Sequence, residues 1–342
     1  MSRITKNSYE MVAEMDPLNF DAFALDLPKY NETNDVRTLA GQYENMLATA
    51  DTLHTPTPFE ATAALRDLDF MAGSLLRHKA GNVAESPDAQ AVLLRLGEQS
   101  NTVPRGTVFT YAAANPNDTS RRRSFTGTHK EELFISAVRQ GAHALDIVMD
   151  DLNEIAQGNS SNLDRANTQM QVMVDSIVEV KRGISPAFFT YEMRPYFDSL
   201  TIGGTSYAGA GGAQMQLVGI DRMIWGADSG DNNYQAYYAD NVRYLTPEQR
   251  TQIDDFVTAT EGKSMLTLIK DRELPHSLAL DALDLLRTIK KFRYPHRKVA
   301  NDNFALRQEG ARGSGNYTPT ALDSLINRTE EAIKELESTQ HE

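Results

Sequence analysis

Apolar residues spaced three and four apart recur along most of this chain, and runs in which apolar and polar residues alternate are nearly absent. The first pattern lays one apolar stripe along an α-helix, whereas a half-buried strand needs the second. Residues 36–50 and 58–78 carry it, as do 87–97, 130–157, 161–182, 246–261, 277–294 and 319–337. A chain that can bury itself only through helix stripes is all-α. The stretch TVFTYAAA, 107–114, reads either as a strand or as buried coil. Thr128 and Thr318 stand where helix N-caps are expected, but only Thr128, with Glu131 three residues on, has the spacing of a capping box.

A length of 342 residues allows one large or two modest domains. The segment NPNDTSRRRSFTGTH, 115–129, concentrates turn formers and charge. It predicts a boundary between a small N-terminal helical domain, 1–120, and a large C-terminal helical domain, 121–342. Arg121, Arg122 and Arg123 within it read as a solvated loop. With 47 acidic residues against 34 basic ones the net charge is −13. Such a field repels phosphate backbones and anionic lipid heads, so neither nucleic acid nor a membrane surface is expected as a partner. No apolar run nears the roughly 18 residues of a membrane span, and the first residues lack the continuous apolar core of a signal peptide. Cysteine is absent, which excludes disulfides, zinc–thiolate and iron–sulfur sites, and haem held through thioether or thiolate. A cytoplasmic location is the expectation.

A metal site would then rest on histidine. Seven are present, at 54, 78, 129, 143, 276, 296 and 341, and no two have HxxxH or HExxH spacing. Ala282, Leu285, Ile289, Phe292 and His296 share one helix face, continued by Val299 and Asn303. Pro295 lies inside that helix, where a proline removes a backbone hydrogen bond at roughly 3 kcal/mol. Two readings of His296 stand. It is a hydrogen-bonded core residue, or it offers a ring nitrogen to a metal already held by a macrocycle, for which one protein ligand suffices. In the second case Pro295 re-aims the ring, and Arg293, one turn earlier, can pair with a haem propionate. Two glycine clusters, 203–214 and 310–319, lack the signatures of nucleotide loops. Glycines so dense supply positive φ, or let backbone approach something flat or bulky, or make an ordinary surface loop.

The stretch FRYPHRKVANDNFALRQEGARGSGNYTPTALDSL, 292–325, resembles the haem-ligand helix and following loop of the indoleamine 2,3-dioxygenase superfamily. Within that superfamily it is most similar to the monodechloroaminopyrrolnitrin synthase family. SPAFFTYEMRPYFDSLTIGGTSYAGAGGAQMQLVGIDRMIWG, 185–226, resembles the same family's middle segment. MDPLNFDAFALDLPKYNETNDV (15–36), EATAALRDLDFMAGSLLRH (60–78) and PRGTVFTYAAANPND (104–118) extend the resemblance over essentially the whole chain.

The resemblance implies an all-α, indoleamine 2,3-dioxygenase-like helical haem protein. It implies that His296 is the proximal ligand of a non-covalent haem b and that Arg293 contacts a propionate. Ser314, flanked by Gly313 and Gly315, would hold the polar end of a substrate amino acid. Arg194 matches an arginine of carboxylate recognition, although an arginine neutralising a helix end or pairing with Asp198 fits the same position. Gly211 and Gly212 would leave room for oxygen and an indole over the distal face, with Phe134 and Ser136 lining the cofactor on that side. Trp225 reads as core and His143 as a satisfied helix residue.

The implied activity is a haem-dependent oxidative rearrangement or oxygenation of tryptophan, or of a modified (for instance halogenated) tryptophan. Dioxygen is the co-substrate and the setting is antibiotic biosynthesis. The alternatives are ring cleavage of the tryptophan 2,3-dioxygenase type, and a haem-binding sensor or carrier without turnover. The expected partner is a small indole amino acid, and a homodimer is compatible with the sequence. One departure stands out: Phe304 occupies a position where the family has a tyrosine, so a hydroxyl is lost that Tyr317 would have to replace.

Overall fold

A computed structural model of the chain describes residues 7–80, 83–210, 215–307 and 319–339. Helices account for nearly all regular structure among them. In chain order these are α1 (Ser8–Glu14), α2 (Asp21–Glu32), α3 (Val36–Thr52), α4 (Pro58–Arg77), α5 (Pro87–Ser100), α6 (His129–Ala156) and α7 (Asp164–Gly183). There follow α8 (Pro186–Phe188), α9 (Leu217–Asp221), α10 (Asn232–Val242), α11 (Pro247–Ala259), α12 (Met265–Lys270), α13 (His276–Phe304) and α14 (Pro319–Thr339). The all-α expectation holds. None of the described helices is long and apolar enough to cross a membrane.

Local chemistry explains many helix starts. Thr57 and Thr246 close capping boxes with Glu60 and Gln249, and each is followed by a proline at the first helical position. Thr128 does accept from the Glu131 backbone N–H, at 3.3 Å. Glu131 itself does not complete the box. Its fully buried carboxylate turns into the preceding loop, accepting from the Phe125 N–H at 2.8 Å, the Thr126 N–H at 2.6 Å and the Tyr111 hydroxyl at 3.1 Å. Thr318 lies outside the described residues.

The one sheet among the described residues is a two-stranded hairpin, β1 (Leu200–Ile202) paired antiparallel with β2 (Thr205–Tyr207). Its turn is Gly203-Gly204, with φ of 57° and 78°. Side chains resist this left-handed region and glycine does not, which is why a two-residue hairpin turn selects it. The stretch 107–114 is neither strand nor coil: Phe109–Ala113 forms a buried π-helical turn.

The chain packs as two units, neither of them one continuous stretch. The first comprises Met1–Arg139, Gly183–Ala213 and Leu306–Asn316; the second comprises Gln140–Arg182, Gln214–Ala305 and Tyr317–Glu342. The first division thus falls within α6, and the segment 115–129, expected as a boundary near residue 120, belongs wholly to the first unit.

The first unit is built round α4, buried almost continuously from Ala61 to Leu75. Against it pack Tyr111, Phe125, Tyr196 and Phe197, with Phe125 stacked on Tyr196 at 4.5 Å between ring centroids. The arginine run is not solvated throughout. Arg123 is fully buried and donates to Asp67 through Nε at 2.9 Å and Nη2 at 3.0 Å. Asp67, also fully buried, takes a second fork from Arg66 at 2.7 and 3.0 Å. A carboxylate already inside the core needs a cation, and Arg123 supplies one.

In the second unit, α13 packs along α14, and Leu285, Leu286, Ile289 and Leu336 are buried. Trp225 is core as expected, with the Tyr234 ring at 4.4 Å.

Candidate functional site

His296 lies on α13, past the buried stretch that ends at Arg293. The helix continues through Pro295 to Phe304, although Lys291 can receive no N–H from that proline. The residue is half-buried, with Phe292 one turn back and its ring 5.3 Å away. Among the described residues neither ring nitrogen engages a hydrogen bond. Burial, and secondarily the Arg293 charge, push the imidazole down to about 4, so it is neutral at physiological pH. A core histidine held by hydrogen bonds would show a partner, and none is seen among the described residues. A neutral ring with an uncommitted lone pair is the protonation state a metal ligand requires.

Arg293 is occupied within the protein. It is almost fully buried, forms an ion pair with Asp221, and donates to Thr329 Oγ1 and to the Leu325 carbonyl at 2.9 Å. The expected partner of this guanidinium was a propionate; the arrangement observed gives it to a carboxylate 72 residues earlier. Burial raises Asp221, a shift that Arg293 and the Trp225 indole oppose. Asp221 was not foreseen, since only the fold joins α9 to α13.

In the first unit, Phe134 and Ser136 are half-buried on the opening turns of α6. Phe134 packs against Phe189 at 5.6 Å and Phe197 at 6.5 Å. These two phenylalanines flank Arg194, because the chain runs from a π-helical turn, Phe189–Met193, into a 3-10 turn, Arg194–Phe197. The hydrogen-bond ladder shifts where Pro195 enters, since proline brings no N–H to it. Arg194 Nη1 donates to Asp198 Oδ1 at 3.1 Å, one of the pairings the sequence allows. The geometry therefore brings Phe134 to the segment carrying Arg194, and Asp221 to the helix that carries both Arg293 and His296. Ser314, Gly313, Gly315, Gly211, Gly212 and Tyr317 lie outside the described residues.

A long helix with a half-buried histidine on its apolar face, among described residues whose regular structure is almost entirely helical, defines a class: an all-α protein. Comparison with known families then gives the particular family. Residues 29–338 match the family described as monodechloroaminopyrrolnitrin synthase PrnB, and the chain belongs to that enzyme family.

Proposed function

We propose that the chain is a haem-dependent enzyme that uses dioxygen on tryptophan or a modified tryptophan, in an oxidative rearrangement like that of its family. The observation that carries this reading is His296: half-buried, neutral, and with no hydrogen-bond partner for its ring nitrogens among the described residues. These features fit a non-covalent haem b, whose iron His296 would hold through a ring nitrogen. When bound, the haem supplies the one chemistry the side chains lack, activation of dioxygen toward an electron-rich indole.

The chain's own residues supply the rest. Phe292 flanks the imidazole and narrows the orientations open to it. Arg194 binds the amino acid's carboxylate, for which a guanidinium fork is the fitting partner. Phe134 and Phe189 offer aromatic faces that receive the indole and exclude water. By the resemblance, Ser314 would hold the substrate's polar end, and Gly211 and Gly212 would leave room for oxygen and the indole.

Mass analysis of products formed from L-tryptophan under dioxygen, with a reductant present, tests the proposal. A product that has lost carbon dioxide supports rearrangement. A gain of two oxygen atoms instead assigns ring-cleaving dioxygenation, and unchanged tryptophan with haem bound assigns a carrier.

A further inference from the structure

The first unit contains a second buried guanidinium clamp that neither the resemblance nor the family match assigns. Arg105 is only 2% exposed. Its Nε donates to Asp69 Oδ1 at 3.0 Å, and its Nη2 lies 2.9 Å from the same carboxylate. On the other side Nη1 donates to two backbone carbonyls, Asp198 and Tyr207, each at 3.1 Å. These carbonyls stand at the open end of the β1–β2 hairpin, where Leu200 pairs with Tyr207. The next turn of chain is pinned as well, since a Cβ at Gly209 would collide with the Phe197 carbonyl. The backbone at Asp198 is thus fixed from the core, through an arginine anchored on α4.

The side chain of that same Asp198 is the carboxylate that meets Arg194 at 3.1 Å. Asp198 is half exposed there, at 52%, so its own packing does little to fix where it points. What fixes its backbone is Arg105. We propose that Arg105, held by Asp69, is a positioning residue for Arg194. By fixing Asp198 it aims the Arg194 guanidinium, and so sets a preference for indole substrates that bear a carboxylate over those that lack one. The inference rests on the carboxylate-binding role given to Arg194 above.

The test compares equilibrium binding of L-tryptophan and tryptamine, its analogue without the carboxylate, by calorimetry on the protein as purified. Three proteins are needed: the parent, Arg194→Ala, and the doubly neutral Asp69→Asn/Arg105→Met, which removes both buried charges together and spares the core an unpaired ion. If that variant does not fold, Arg105→Lys keeps the buried charge without the fork and gives the same comparison. The expected result is a loss of at least about tenfold for L-tryptophan and less than about twofold for tryptamine, in both Arg194→Ala and the clamp variant. A merely structural clamp would weaken both ligands equally. Equal weakening, or no change, in the clamp variant while Arg194→Ala discriminates would overturn this inference alone. Undiminished L-tryptophan affinity in Arg194→Ala would overturn the carboxylate role of Arg194 and this inference with it.

Discussion

Replacing Asp67 by asparagine keeps the shape of the side chain and removes its charge from between two buried guanidinium groups. Four N–H donors converge on the carboxylate, from Arg66 at 2.7 and 3.0 Å and from Arg123 at 2.9 and 3.0 Å. Breaking a buried ion pair by removing one partner costs about 3–5 kcal/mol, because the other charge stays behind. Here Arg123 retains Asp21 at 2.6 Å, and Arg66 retains the Val12 and Met15 carbonyls at 2.9 Å each, so the lower half of that range applies. A loss of about 3–4 kcal/mol corresponds to a fall in Tm of about 6–16 °C for domains of this order of size. Differential scanning calorimetry at pH 7 measures it, with Lys298→Ala as control. Lys298 and its partner Asp302 are 59% and 39% exposed, and such a pair contributes less than about 1 kcal/mol.

The pH dependence has a definite sign. Burial alone would raise Asp67, but Arg66 and Arg123 outweigh it and hold the carboxyl below its usual range. A carboxylate with a depressed folded-state pKa contributes stability above its unfolded pKa of about 3.9, and that contribution is lost as pH falls through the folded value. The gap between parent and Asp67→Asn is therefore constant from neutral pH down to about 5 and narrows below about pH 4. A Tm within about 2 °C of the parent at pH 7 would refute the reasoning.

The Phe125 and Thr126 N–H groups sit on opposite oxygens of Glu131, so Glu131→Gln must turn its amide hydrogens toward one of these two donors and leave it without an acceptor. The substitution should lower the free energy of unfolding in urea by at least about 2 kcal/mol, and an unshifted midpoint would contradict that. Gly209→Ala sets a methyl against the Phe197 carbonyl, which is backbone and yields little. Overpacking of this kind costs about 1–3 kcal/mol, so a thermal melt indistinguishable from the parent would show that the approach is looser than described.

The long helices were legible because period 3.6 survives in isolation. The stripes at 36–50, 58–78 and 87–97 correspond to α3, α4 and α5 with ends shifted by a few residues. The helices α1 and α12 have seven and six residues, too few to display a period; side-chain caps from Asn7 and Ser264 mark their starts. In α2, Pro28 interrupts the reading, and α10 is too polar to carry a clear stripe. Helix α13 runs on to Phe304, past the clear stripe of 277–294 and as the face continued by Val299 and Asn303 implies, because Pro295 costs one hydrogen bond without stopping the helix, which packs along α14.

Charges were read least well. Arg123 looks solvated in its sequence neighbourhood, and its burial is decided by Asp67, 56 residues away. Arg293 looks available beside His296, and Asp221 decides otherwise. Neighbourhood patterns report periodicity and spacing, whereas a buried ion pair depends on which distant segment arrives opposite. The stripe carrying His296 was visible for that reason, and the absence of a partner for its ring nitrogens among the described residues was not.

Haem binding by His296 is tested most directly by the absorption spectrum of the purified protein after haem loading, recorded beside that of His296→Ala. The parent should show a Soret band that survives gel filtration, and the variant should lose most of its bound haem. A parent that takes up no haem, or a variant whose Soret band matches the parent's in position and intensity, would contradict the assignment.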